Sequence, residues 1–117
     1  EKGVQFCISD YGYAGKAEQI RNLPYQASMA ASYGLPKEAA LRAVTLSAAE
    51  ILGVDKQIGS LDIGKDATLF ISDGDPLEIR TNIIQAYIQG KKIDMSDRHK
   101  NLYSKFKEKY RQLGIIK

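Results

Sequence analysis

Hydrophobic positions along the chain form a short apolar run, then a helical pattern, and then extended runs again. Residues 4–8 (VQFCI) are typical of a short buried strand that ends at Ser9 and Asp10. No second strand is predicted before about residue 67, so we expect this strand to belong to a sheet whose other strands are missing from the chain. A loop rich in Gly and Tyr follows, from residue 11 to about residue 21.

Three helices are predicted in the first half of the chain. The first begins near residue 22, and the second begins at Pro36, since proline is favoured in an opening turn. In the third, Ser47 and Glu50 fit a capping box, and Gly53 is the expected residue after its last turn.

Beyond Gly53 the pattern becomes extended. Strands are predicted over residues 67–72 and 83–88, and the second turns at Gly90 into a hairpin. Ser96 is predicted to cap a final helix, whose apolar face consists of Leu102, Phe106, Tyr110 and Leu113.

Composition limits the chemistry that the chain can complete by itself. Its 117 residues, 44% of them hydrophobic and 26% charged, fit one small globular domain, and no apolar run is long enough for a membrane span or a signal peptide. A single cysteine, Cys7, excludes an internal disulfide framework, and a single histidine, His99, excludes a complete multi-histidine metal centre. We expect Cys7 to be an inert core thiol and His99 to be a surface or packing residue.

Positive charge is concentrated at the C-terminal end. Residues 91–117 carry nine Lys and Arg against three Asp and Glu, whereas residues 1–90 carry eight against eleven. A basic end of this kind suits nucleic acid, anionic lipid or simple solvation. Because the aromatic residues of the final helix lie on its apolar stripe, we expect no nucleic-acid partner.

Two further features bear on the chemistry of the chain, namely a glycine spacing at residues 59–65 and the carboxylate of Asp10. The spacing from Gly59 to Lys65 matches a phosphate-binding loop, but Asp66 replaces the Ser or Thr that would hold magnesium, and the segment precedes a strand instead of a helix. We therefore interpret it as two ordinary turns.

Asp10, at the end of a hydrophobic strand, is either a loop aspartate that caps a turn or a carboxylate that ligates a metal and accepts a proton from bound water.

Several segments together resemble the end of an amidohydrolase-superfamily enzyme, in particular the imidazolonepropionase-like branch. The resemblance covers roughly residues 3–93. The matching segments are 6–10 (FCISD), 22–24 (NLP), 34–45 (GLPKEAALRAVT), 49–54 (AEILGV), 58–61 (IGSL), 64–69 (GKDATL), 73–77 (DGDPL) and 88–91 (IQGK).

The resemblance implies an α/β architecture and a chain that is the C-terminal fragment of a larger enzyme. Residues 1–55 would form the last strand and helices of a metal-dependent (β/α)8 barrel. Residues 56–95 would form the C-terminal part of a small β-sandwich, and residues 96–117 a terminal basic amphipathic helix. Such an arrangement accounts for an unpaired strand at the start.

The resemblance also implies a role for Asp10. In that family an aspartate after the eighth strand binds the catalytic metal, usually zinc, and handles the proton of the attacking water. Asp10 is therefore the candidate catalytic residue and metal ligand, and Tyr11 and Asn22 are candidate substrate-binding residues because they lie near it in sequence. The implied substrate is a small-molecule amide, cyclic amide or peptide.

The family's other metal ligands are absent from this sequence, so we expect the chain alone to be inactive and to hold no metal tightly. A second hypothesis is a non-catalytic structural or oligomerisation module derived from the same fold. An incomplete barrel edge also leads us to expect association into homo-oligomers.

Overall fold

The computed structural model describes residues 3–10 and 17–117, and these form a helical half, a small antiparallel sheet and a long final helix. The helical half begins with a 3-10 helix, Ala17–Asn22, which leads directly into α1, Leu23–Ser32. It continues with α2, Lys37–Ala43, and α3, Leu46–Ile51. Proline lies in the opening turn of α1, and Pro36 directly precedes α2, so the helix starts predicted from proline are confirmed.

Two of the predicted helix caps were wrong. Helix α3 begins at Leu46, so Ser47 lies inside it and is buried instead of capping it, and Glu50 does not complete a capping box. The final helix, α4 (Arg98–Gln112), is capped by Asp97, whose side chain accepts a hydrogen bond from a backbone N–H three residues later. Ser96 instead donates its hydroxyl proton to Asp94.

Residues 4–8, predicted to be a buried strand of a sheet whose other strands are missing from the chain, form no strand with the described residues. The segment pairs with no strand among the described residues, and Phe6 and Cys7 are exposed. Among the described residues, one backbone hydrogen bond attaches it, from the Ile8 N–H to the Ala43 carbonyl at 3.1 Å. A hydrophobic run forms a buried strand only where neighbouring strands cover it, and the sheet described below lies elsewhere.

The sheet has three antiparallel strands in the order β1, β2, β3. Strand β1 is Leu69–Ser72, β2 is Ile83–Ile88 and β3 is Lys91–Lys92. Strand β2 has the predicted bounds, whereas β1 begins two residues later than predicted. The β2–β3 turn places Gln89 and Gly90 at φ values of 49° and 75°, which is the left-handed pair typical of a type I′ hairpin.

The hydrophobic core of the helical half is small and built largely from alanine. Ala27 of α1 and Ala40 of α2 are fully buried, and Leu77 from the loop that joins β1 to β2 is buried in the same cluster. The partly buried residues packed against this cluster are Ile8, Ala31, Leu35 and Val44. Leu77 is therefore an apolar side chain through which the β1–β2 loop joins the core of the helices, and Lys37 of α2 adds ion pairs to Asp75 and Glu78 of the same loop.

Helix α4 leaves its apolar face uncovered by the described residues. It contacts none of the other described helices or strands, and the side chains of the predicted stripe are 39–61% exposed. No helix in the described part of the chain combines the length and hydrophobicity needed to cross a membrane.

Removing the Leu77 side chain should weaken the packing of the β1–β2 loop on helices α1 and α2. Leu77→Ala is expected to lower the free energy of unfolding by about 2–5 kcal/mol, because it leaves a cavity beside two alanines that cannot fill it. The measurement is urea unfolding followed by circular dichroism. Ile79→Ala is the matched control, since Ile79 lies in the same loop but is 75% exposed. Equal losses for the two variants would contradict the central position of Leu77.

Gly59 tests the packing of the following turn against α3. Its φ is +96°, and a Cβ added there would lie 2.7 Å from the Ala49 Cβ and 3.0 Å from the Leu46 Cα. We expect Gly59→Ala to cost at least about 2 kcal/mol of unfolding free energy, from backbone strain and overpacking together. Gly64→Ala is the control, because Gly64 has a φ of +93° with nothing within 4 Å of an added Cβ. If both variants lose the same stability, the close approach to α3 has no energetic effect.

Candidate functional site

Residues 3–10 are called the N-terminal segment. Asp10 is the last of them, and its side chain faces helix α1. Its carboxylate is half-buried, and the side-chain amide of Gln26 donates a hydrogen bond to its Oδ1 at 3.2 Å. Gln26 directly precedes the fully buried Ala27, so the amide is carried by a turn of α1 that is fixed in the core. The position of Asp10 therefore depends on how the N-terminal segment and α1 pack together.

The N-terminal segment is held against the helices at two points before it reaches Asp10. The Ile8 side chain packs on the core cluster, and its N–H bonds to α2 as described above. Further back, the Gln5 amide donates to Glu50 Oε2 of α3 at 3.0 Å, while Arg42 of α2 donates to Oε1 of the same carboxylate at 2.6 Å. Glu50 thus ties the segment to both helices with one side chain.

An open cleft of about 380 Å³ lies between the segment and helices α2 and α3. Asp10 does not line it. The Glu50–Arg42 ion pair is part of its wall, so the two charged groups of the cleft are paired with each other. The lining residues are Val4, Gln5, Phe6, Ala39, Arg42, Ser47 and Glu50.

Of the other two predicted site residues, only Asn22 lies among the described residues. Asn22 is exposed at the end of the 3-10 helix, and its side chain makes no capping bond to α1. Tyr11 lies outside the described residues. A substrate-binding role for either residue stays a prediction.

The donor set around Asp10 fits one ligand position of a divalent-metal site. A half-buried carboxylate with one oxygen hydrogen-bonded to an amide is a common metal ligand. Within residues 3–10 and 17–117, however, no group of three or more His, Cys, Asp and Glu side chains is placed to hold a metal ion. The described residues therefore supply a single ligand, and tight zinc binding needs three or four.

Neither Cys7 nor His99 adds to this site. Cys7 is exposed, so the prediction of a buried core thiol was wrong, because the segment that carries it lacks neighbouring strands. His99 is exposed in the first turn of α4, in agreement with a surface position.

In the segment whose spacing matches a phosphate-binding loop, the polar side chains bond to one another. Ser60 donates to Asp62, and the ammonium of Lys65, largely buried, bonds to Ser60 and lies 3.3 Å from Asp62. The Ser60 hydroxyl and the Lys65 ammonium hold the pKa of the Asp62 carboxyl below its usual value. The Lys65 ammonium is bonded within the turn itself, in agreement with the interpretation of this segment as ordinary turns.

Sequence reasoning missed Gln26 and Gln5. A glutamine in a helix or in a short apolar run carries no signal of its own, because the partner of each lies many positions away along the chain. Only the packing of the N-terminal segment on the helices brings these pairs together.

Comparison with known proteins decides the family. A family model described as the amidohydrolase family matches residues 5–106. The chain belongs to this family. Members are typically metal-dependent, and the match includes Asp10 and every described helix from α1 to α3.

Two relatives give the extent of the likeness. The amidohydrolase tasK of Hapsidospora irregularis is 40% identical over 58 residues, which are 50% of this chain and 6% of that protein. The crystal structure of an amidohydrolase from Thermotoga maritima MSB8 is 33% identical with a TM-score of 0.62, over 64% of this chain and 20% of that one. This amidohydrolase chain thus spans about a fifth of the solved relative and a smaller share of the curated one.

Glu50 offers a test of how the N-terminal segment of this amidohydrolase is held. Glu50→Gln removes the ion pair with Arg42 and leaves a single amide oxygen where two carboxylate oxygens accept from Arg42 and Gln5, and a partly exposed pair of this kind contributes about 0.5–1 kcal/mol. We expect the Ile8 amide to exchange its proton roughly 2- to 5-fold faster, as followed by NMR. Glu108→Gln is the control, because Glu108 pairs with Arg111 within α4. An unchanged Ile8 exchange rate in Glu50→Gln would contradict the tethering role.

Proposed function

We propose that this chain is the C-terminal part of a metal-dependent hydrolase that cleaves an amide, cyclic amide or peptide-like C–N bond. The observation that carries the proposal is the half-buried Asp10 carboxylate, held by Gln26 at the end of a docked segment in a member of the amidohydrolase family. A carboxylate in this setting suits both metal ligation and proton acceptance.

The proposed architecture has three parts. Residues 1–55 form the last strand and helices of a (β/α)8 barrel, residues 56–95 the C-terminal strands of a β-sandwich, and residues 96–117 a terminal helix. Exposed apolar side chains on the N-terminal segment and the sheet support this division, because a larger protein would cover them. Among the described residues these include Val4, Phe6, Phe70, Ile84 and Ile88.

The proposed chemistry divides the work between a bound divalent metal and Asp10. A bound divalent metal, most simply zinc, would supply Lewis-acid activation of water near neutral pH. Asp10 would hold the metal with one carboxylate oxygen and would serve as the proton acceptor of the site. The remaining ligands come from parts of the protein that precede this chain.

Asp10→Asn in the complete protein that contains this chain is the direct test. We expect kcat to fall by about 100-fold or more, because a neutral amide is a poorer ligand and cannot accept the proton. Activity is measured against a panel of small amides, cyclic amides and dipeptides, with bound zinc determined by elemental analysis. Asp55→Asn is the control, since Asp55 is also half-buried but has no assigned role.

Two results would contradict the proposal. One is an Asp10→Asn protein that keeps full activity and zinc content. The other is tight one-to-one zinc binding by the isolated 117-residue chain in calorimetry, abolished by Asp10→Asn, because the proposal gives this chain a single ligand. A complete protein without hydrolase activity and without a His-x-His segment near its start would favour the non-catalytic module.

A further inference from the structure

We propose that Gln26 is a positioning residue that orients the Asp10 carboxylate toward the metal. This inference rests on the proposed function, because it concerns how the assigned ligand is held. Gln26 and Asp10 are sixteen positions apart in sequence, and their side chains meet through the 3.2 Å bond from the Gln26 Nε2 to Asp10 Oδ1.

The chemistry of the bond explains why orientation is at stake. The terminal torsion of an aspartate is broad, so the carboxylate plane rotates easily unless something fixes it. An amide N–H donor on Oδ1 selects one plane and leaves Oδ2 to be offered to a cation. Hydrogen-bond partners of metal ligands commonly affect metal affinity in this way, by about 10- to 100-fold.

Helix α1 is a suitable support for this donor. Gln26 lies in the middle of the helix, and the next residue, Ala27, is fully buried against α2 and Leu77. The Gln26 side chain is itself half-buried, so water competes less for its amide than on an open surface. A rigid helix therefore presents the donor, whereas the segment that carries Asp10 is attached through few bonds.

The competing interpretation is that the bond only fastens the N-terminal segment to α1. A fastening role predicts lower stability of the metal-free protein when the donor is removed. A positioning role predicts weaker metal binding with the metal-free stability kept. The two roles are therefore separated by measuring both quantities on the same variants.

The experiment uses the complete protein that contains this chain. Gln26→Met and Gln26→Leu remove the donor while keeping a helix-forming side chain of similar size. Gln112→Met is the matched control, because the Gln112 amide also donates to a carboxylate, that of Glu108, but within α4. Asp10→Asn is measured beside them. The zinc dissociation constant is determined by chelator competition, and thermal unfolding is recorded on the metal-free proteins.

We expect both Gln26 variants to bind zinc about 10- to 100-fold more weakly, with metal-free unfolding temperatures near that of the parent and with Gln112→Met unchanged. If Asp10→Asn weakens zinc binding but the Gln26 variants stay within twofold of the parent, the positioning role is wrong and the proposed function stands. If the loss of affinity only accompanies a lower metal-free unfolding temperature, Gln26 is a fastening residue and the inference is overturned. If Asp10→Asn leaves zinc binding unchanged, the ligand assignment fails, and the inference fails with it.

Discussion

The packing of Leu77 with two fully buried alanines is the contact on which the rest of this structure depends. Leu77 comes from the loop between β1 and β2, whereas Ala27 and Ala40 belong to different helices. The Asp75 carboxylate stabilises the loop, because it accepts hydrogen bonds from the Leu77 N–H at 2.9 Å and from the Lys37 ammonium at 3.0 Å. The Leu77 N–H and then the Lys37 charge hold the pKa of the Asp75 carboxyl below its usual value.

The candidate site inherits its geometry from the same core. Ile8 packs against the alanine and leucine cluster, and Asp10 follows two residues later. Helix α1 contributes Ala27 to this cluster and also carries Gln26, so the same helix supports the segment of Asp10 and the donor to its carboxylate. Small side chains make this possible, since alanine lets a loop and a terminal segment approach the helix backbones closely. The position of Asp10 therefore depends mainly on the apolar packing of the N-terminal segment, which makes few hydrogen bonds to the described helices.

Local signals predicted much of the fold, and the errors arise where distant residues decide. Strand β2 and its hairpin have the predicted bounds, because period and turn chemistry are encoded within a few residues. The cap assigned to Ser47 failed because α3 starts at Leu46, two residues before the start that a Ser47 cap requires, and buries that serine. Residues 4–8 are unpaired and largely exposed, because a buried strand requires neighbouring strands, which are not among the described residues. No local pattern marks Gln26.

The sequence by itself determined the family, the order of helices and strands, and Asp10 as the one residue with candidate metal chemistry. These follow from motifs, periodicity and side-chain chemistry, which are properties of neighbouring positions. Only the tertiary structure decided that Gln26 holds Asp10, that Glu50 ties the N-terminal segment to two helices, and that Leu77 joins the β1–β2 loop to the core of the helices. Each of these contacts joins residues at least eight positions apart, and chain folding alone brings such groups within bonding distance.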